Sequence, residues 1–360
     1  MGKKTSSKLW PSATNTELFE ASLPAETAKV VRFHEIGPAE VLQLEELPLP
    51  DPGEGEVRLR VKAIGLNRAE SLFRRDRHPV FTPKLPAKIG FEASGIVEAV
   101  GPGVEPSWLG KTVSTVPAFA ADAYGVYGEV AIVPANALAA YPAHLSYEEG
   151  ASIWMRYMTA YGALIREGNL TSGDFVIITA ASSSVGIAAI EIAKLQGATS
   201  IATTRTGAKR PELFRLGADH VIVTAEEDLS QRVSEITGGS GARIIFDPIG
   251  GKGLLALAAA AAPGGIIFEY GMLADEATPY PLSDALSKNL TIKGYSLFEV
   301  VSNPEKFPDE FVKAKQYVFN HLANGNFKPI ISRTFRLSEI VEAHRYMESN
   351  AQIGKIVVAV

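Results

Sequence analysis

VIITAASSSVGIAAIEIAKLQGATSIATTR, residues 176–205, is the stretch whose reading decides the fold. Val176, Ile177, Ile178 and Thr179 form an apolar, β-branched run that suits a buried strand. The small residues 180–184 then make a tight turn, and Val185 and Gly186 open a segment whose apolar positions Ile187, Ile190 and Ala193 recur at helical spacing. After Gly197, residues 200–204 read as a second strand. Strand, turn, helix and strand make a βαβ crossover whose helix N-terminus, with unpaired N–H groups and a positive dipole end, is aimed at the turn. Such a terminus suits a pyrophosphate. The turn departs from the GxGxxG fingerprint, because Ser183 and Ser184 stand where glycines are usual and only Gly186 remains. From the turn alone, a βαβ unit that binds nothing in particular stays open.

Downstream the alternation continues. Helices are expected over 211–216, 228–236 and 253–262, and strands over 221–223, 242–246 and 265–270. Alternation sustained over about 120 residues specifies a doubly wound parallel sheet, which binds ligands along the rim at the carboxyl ends of its strands. The rim segments are 180–184, 205–206, 247–251 and 271–273, so Gly250, Gly271 and Met272 belong to the ligand side. Beyond them come a strand over 290–297, an amphipathic helix over 309–323, and strands over 330–335 and 355–360 around a helix over 339–347.

Upstream the pattern is different. Strands are expected over 29–33 and 40–47, and a Pro/Gly loop over 47–56 separates them from residues 57–63, where apolar and basic residues alternate with period two. Residues 67–77 form a short helical turn, 90–101 a glycine-bounded strand region, and 113–116 and 128–133 further strands. This part reads as an irregular β-barrel. Ser146 precedes Glu149 as in a capping box, and 151–164 forms a helix.

Composition bounds the function. The chain has 360 residues, enough for two cores. Its 35 basic and 40 acidic residues give a net charge of −5, which provides no broad basic field for nucleic acid. With no cysteine there is no disulfide, thiolate metal site or cysteine nucleophile. No apolar run reaches the roughly 18–20 residues of a membrane span. Residues 1–28 lack the apolar stretch of a signal peptide and read as a flexible extension of a cytosolic protein.

The residue that ends the second strand of a nucleotide-binding sheet discriminates between cofactors, since a carboxylate there binds a ribose diol and repels a 2′-phosphate. Here the sequence is Thr203-Thr204-Arg205-Thr206, with Lys209 and Arg210 following and no Asp or Glu in the window. Hydroxyls and cations at this point suit a 2′-phosphate, and hence NADPH. A solvated basic helix start is the alternative.

With these pieces in place the chain resembles the medium-chain dehydrogenase/reductase superfamily, in its zinc-free quinone oxidoreductase branch. The resemblance rests on PGEGEV at 52–57, AIGLN at 63–67, GFEASGIVEAVG at 90–101, Met158-Thr159-Ala160-Tyr161, TAASSSVG at 179–186, FDPIGG at 246–251 and GKIVV at 354–358. It implies an α/β protein with a GroES-like β-barrel catalytic domain (29–150 and 325–360) and an inserted Rossmann-type doubly wound domain (151–324), a cleft for NADPH, and a homodimer formed through an edge strand over 291–297.

It also implies site residues. Zinc-dependent relatives have a cysteine and a histidine where Asn67 and Phe91 stand, and the six histidines are scattered, so no metal is expected. Without a Lewis acid, a conjugated acceptor such as a quinone, enone or enal is the easiest hydride target. Asn67 and Thr159 are expected at the nicotinamide, with Ser183, Ser184, Val185 and Gly186 at the pyrophosphate. Thr204, Arg205, Thr206 and Lys209 are expected at the 2′-phosphate. Gly250, Tyr270, Gly271, Met272, Ser296, Phe298 and Asn350 complete the cofactor contacts. For Asn67 a turn-capping side chain, and for Thr159 a hydroxyl bonded to its own helix, are the alternatives. Some relatives carry tyrosines where this chain has Leu72 and His78, so the proton donor stays open; His78, Tyr127 and Tyr157 are pocket donors to weigh, and Trp154 and Phe298 are expected to shape the substrate side. The expected activity is an NADPH-dependent, zinc-independent reductase of quinones or α,β-unsaturated carbonyls. A trans-acting enoyl reductase and an NADPH-binding protein without turnover are the alternatives.

Overall fold

The computed structural model describes residues 26–301 and 306–360, so the expected 1–28 extension lies outside the described residues except at its end, where Thr27 and Ala28 already belong to the first strand. In chain order the first part contains β1 (Thr27–Phe33), β2 (Leu42–Pro48), β3 (Glu56–Gly65), α1 (Arg68–Arg74), β4 (Ala87–Lys88), β5 (Glu92–Val100), β6 (Thr112–Thr115), β7 (Val130–Pro134), β8 (Leu138–Ala139) and α2 (Tyr147–Gly150). The middle contains α3 (Trp154–Tyr161), β9 (Phe175–Ile178), α4 (Ser184–Gln196), β10 (Thr199–Thr204), α5 (Arg210–Arg215), β11 (His220–Val223), α6 (Leu229–Thr237), β12 (Ala242–Asp247), α7 (Gly253–Ala260), β13 (Ala261–Glu269), α8 (Leu282–Lys288), β14 (Thr291–Gly294) and α9 (Phe298–Val301). The chain closes with α10 (Pro308–Ala323), β15 (Ile331–Arg336), α11 (Ile340–Glu348) and β16 (Lys355–Ala359).

Strands β9 to β14 form one parallel sheet in the order β11-β10-β9-β12-β13-β14. The order reverses between β9 and β12, and a doubly wound sheet opens its ligand crevice at that point. A second sheet runs β15-β16-β3-β5-β6-β8, with β7 also paired to β3, and β2-β1-β4 form a third. Because β16 pairs antiparallel with β3, Val357 opposite Gly65 and Val358 opposite Ile64, the last strand returns to the sheet built by the first part of the chain.

Local chemistry accounts for these elements. Ser146 Oγ accepts the Glu149 N–H at 3.2 Å while the Glu149 carboxylate accepts the Ser146 N–H at 2.8 Å, the reciprocal cap expected from the sequence. Gly197 ends α4 with φ +70°, a left-handed turn that relieves the last carbonyls. A Cβ on Gly186 would lie 2.6 Å from the Cα of Ala181, so glycine is needed for α4 to seat against the turn after β9.

Three expected elements differ. The helix over 253–262 stops at Ala260 and β13 starts at Ala261, because the alanine run carries no turn signal while Ala261 is drawn into register with Ala242. The helix over 151–164 starts at Trp154 and continues as a π-helical stretch, Gly162–Glu167; at its start a Cβ on Gly162 would meet the Tyr295 hydroxyl at 1.9 Å. The strand over 290–297 is only Thr291–Gly294.

One buried ion pair joins the parts. Lys355 of β16 and Glu92 of β5, each with 1% of its side chain exposed, form a salt bridge, and Lys355 Nζ also donates to Asn67 Oδ1 at 2.6 Å. The other Glu92 oxygen accepts the Met155 N–H of α3 at 2.8 Å. Removing one member of such a pair leaves a buried charge without compensation. Lys355→Met is therefore expected to lower unfolding free energy by about 3–5 kcal/mol in urea denaturation, and adding Glu92→Gln should recover part of that loss; an unchanged K355M would contradict it.

Candidate functional site

At the switch point lies a cleft of about 1530 Å³, lined by the turn after β9, the ends of β10, β12 and β13, the start of α1 and the segment before β16. Pockets for single small molecules usually measure about 300–1,000 Å³, so this one accommodates an extended ligand together with a second molecule.

Its floor is the turn between β9 and α4. Ala180 is held in the left-handed region at φ +44°, and the Ser183 hydroxyl caps α4 by accepting the Gly186 N–H at 3.0 Å. The N–H groups of Ser184 and Val185, in the first turn of α4, have no acceptor among the described residues, and both residues line the cleft.

At the end of β10, Thr203, Thr204, Arg205 and Thr206 line the cleft. Arg205 is exposed and has no hydrogen-bond or ion-pair partner among the described residues. The nearby carboxylates are engaged elsewhere: Glu227 faces Arg210 and Arg232, and Asp228 caps α6 by accepting the Gln231 N–H at 2.8 Å. Lys209 departs from the sequence expectation of a direct phosphate ligand. All three of its N–H bonds are used, on Ser182 Oγ at 3.0 Å and on the Asn350 and Gln352 carbonyls at 2.8 Å each. Its ammonium ties the β9 turn to the segment before β16 and acts on a ligand only through its charge.

Arg68 is a residue of the cleft that the sequence does not announce. It follows the Asn67 turn and gives no local signal, yet its guanidinium crosses to the C-terminal segment, donating to the Met347 carbonyl at 3.0 Å and to Asn350 Oδ1 at 2.7 Å. Burial lowers its pKa, Glu348 opposes that shift, and repulsion from Arg75 and Arg205 adds to it. Arg68, Arg205 and Lys209 therefore form a cationic group at the cleft wall with a net demand for an anion.

At the opposite end stand Leu66, Leu72, His78, Val80, Leu297 and Phe298. Asn67 and Thr159 reach the cleft, but their polar groups are already used. Asn67 Oδ1 accepts from Lys355, its amide nitrogen donates to the Gly65 carbonyl at 3.2 Å, and the Thr159 hydroxyl donates to the Met155 carbonyl at 2.5 Å. Lys355 and Glu92 were also missed, since their pairing joins residues 263 positions apart. Between the two ends, Asp247 and Glu269 sit side by side at the ends of β12 and β13. Asp247 accepts from the Thr179 hydroxyl and from the Gly250 N–H, and burial together with the Asp247 charge pushes Glu269 up to about 8.

Of the residues expected at the site, Ser183, Ser184, Val185, Gly250, Tyr270, Gly271, Met272, Ser296, Phe298 and Asn350 also line the cleft. Gly186 does not; it lies behind the turn. Three expected pocket residues need correction. Tyr157 is fully buried away from the cleft, donates to Glu191 at 2.8 Å, accepts from Arg156 at 2.7 Å and stacks on Phe327 at 4.2 Å. Tyr127 is buried against Glu70, and Trp154 donates from Nε1 to Ser114 at 2.6 Å. Each apolar ring with a single polar tip found its partner in the core.

Comparison with known proteins agrees with this architecture. Residues 53–143 match the alcohol dehydrogenase GroES-like domain and residues 184–314 the zinc-binding dehydrogenase family. The chain is 31% identical over 330 residues to a 2-haloacrylate reductase of Burkholderia sp., covering 90% of this chain and 97% of that protein. It is also 31% identical over 327 residues to quinone oxidoreductase 1 of Escherichia coli, covering 90% and 97%. The crystal structure of Escherichia coli quinone oxidoreductase complexed with NADPH superposes with a TM-score of 0.84 at 29% identity, covering 92% of this chain and all of that one. The chain belongs to the quinone oxidoreductase-like branch of the medium-chain dehydrogenase/reductase superfamily, a family of oxidoreductases.

Proposed function

We propose that this protein is an NADPH-dependent reductase that delivers hydride to a quinone or an α,β-unsaturated carbonyl. The observation that carries the reading is the unpaired Arg205 beside Arg68 at the end of β10, in a window that holds no carboxylate. A nearby relative that carries NADPH in its crystal structure supports it. The residues present fit such a cofactor. The amides of Ser184 and Val185 would hold the pyrophosphate, and Gly186 lets α4 approach closely enough to present them. Arg205 and Arg68, with the hydroxyls of Thr204 and Thr206, would bind the 2′-phosphate, and Lys209 would add its charge.

Gly250 and Gly271 keep the rim low, while Thr159, Ser296, Phe298 and the fixed Asn67 amide would bound the nicotinamide. When bound, the cofactor supplies the hydride. The protein supplies orientation and an apolar wall of Leu72, Val80, Leu297 and Phe298. Lys355, the cation beside Asn67, is committed to Glu92, so a substrate carboxylate finds no free cation there. This favours an uncharged quinone, enone or enal. Residues 151–324 then act as the cofactor domain and residues 29–150 with 325–360 as the substrate domain. The exposed residues of β14 and its neighbours Leu282 (58% exposed) and Leu286 (75% exposed) support a homodimer formed through that edge, and the expected site of action is the cytosol.

Following NADPH oxidation against a panel of quinones, enals and enones should show turnover, and inactivity across the panel would overturn the reductase reading. Arg205→Ala should raise the NADPH Kd about 10–100-fold, as loss of charge-assisted hydrogen bonds does, and leave the NADH Kd unchanged; equal effects on both would contradict the 2′-phosphate assignment. Glu269, with its pKa raised, is neutral below about 8 and anionic above it. Fluorescence titration should therefore show NADPH affinity falling between pH 7 and pH 9, with Glu269→Gln reducing the fall; an unaltered profile in E269Q would contradict it.

A further inference from the structure

His78 lines the cleft at its aromatic end. Its Nδ1 accepts two backbone N–H groups, that of Val80 at 3.2 Å and that of Phe81 at 3.1 Å. A ring nitrogen that accepts hydrogen bonds carries no proton, so the neutral imidazole holds its single proton on Nε2. No described protein group accepts from Nε2. The ring itself is fixed: it stacks on Phe81 with centroids 5.1 Å apart at 25° and meets the edge of Phe298 at 5.7 Å and 70°. Among the side chains that the sequence offered as donors, Asn67 is engaged with its own loop and Lys355, while Tyr127 and Tyr157 are buried in the core. The Nε2–H of His78 is the one left free.

We propose that His78 is a catalytic residue whose neutral Nε2–H binds the carbonyl oxygen of the substrate and stabilises the negative charge that forms there. The inference rests on the reductase reading above. As hydride from the reduced nicotinamide adds to the β-carbon of an enone, the C=C electron pair moves toward the carbonyl and the oxygen becomes anionic. The hydrogen bond from Nε2–H to that oxygen shortens while the N–H bond stays intact, because a neutral imidazole N–H is far too weak an acid to be lost. Water then gives a proton to the α-carbon and departs as hydroxide, leaving the saturated ketone and the oxidised cofactor. Burial holds the ring's pKa down to about 4, so the same neutral donor is present throughout the physiological range. A donor fixed before the reaction needs no reorganisation when charge appears.

The test joins a spectroscopic and a kinetic readout on the full chain. Long-range 1H–15N correlation of 15N-histidine-labelled protein, assigned through His78→Phe, should show an unprotonated Nδ1 and a protonated Nε2 from pH 5.5 to 8. His78→Phe keeps an aromatic ring and removes the donor; kcat on an enone should fall about 100-fold while the NADPH Kd stays unchanged, and His78→Gln should restore part of the loss. A proton on Nδ1, an imidazolium at pH 7, or full kcat in H78F would each overturn the proposal. If the wild-type chain binds NADPH yet reduces nothing on the panel, the reductase reading fails and the catalytic role falls with it, while the 15N signals still decide the tautomer independently.

Discussion

The Lys355–Glu92 ion pair is the interaction on which the rest of the site depends. Both side chains are out of water, so each charge is tolerable only while the other is present. Around the pair converge β16, β5, the turn before α1 and, through the Met155 N–H, the start of α3. These elements come from opposite ends and the middle of the sequence. The pair fixes where the last strand lies against the first sheet, and so where Asn67 and the wall of the cleft stand. Asn67 is accordingly a residue held from behind: with its carbonyl oxygen on Lys355 and its amide nitrogen on Gly65, it offers shape more than free hydrogen bonds.

A second tie works at the other end. Lys209 spends its three protons on Ser182, Asn350 and Gln352, joining the nucleotide turn to the segment before β16. Arg68 reaches the same segment from α1. Lys209 thus ties the nucleotide-binding part to the segment before β16, Arg68 braces that segment from α1, and Arg205 is left with no partner among the described residues. Like charges brought together in this way raise the free energy of the empty cleft and lower it again when a phosphate enters.

Much of this was legible in the residues because it is local. The β-branched run at 176–179, the small turn and the helical spacing after Gly186 identify the βαβ unit, and the strand–helix alternation that follows extends it into the parallel sheet observed. The same locality puts Thr204, Arg205 and Thr206 at the end of β10, where they line the cleft. What escaped was long-range. Nothing near Arg68 shows that its guanidinium meets Asn350, nothing near Glu92 announces Lys355, and nothing near Tyr157 shows that Glu191 takes its hydroxyl. Alanine-rich boundaries were misplaced because alanine suits a helix and tolerates a strand, and the sheet register decided at Ala261.

We propose that the end of β10 is built for a 2′-phosphate. The most direct measurement is a parallel fluorescence titration of the full-length, unmodified protein with NADPH and with NADH. NADPH is expected to bind clearly more tightly, with the difference shrinking as salt screens Arg205 and Arg68. Equal affinities, or a preference for NADH, would contradict it.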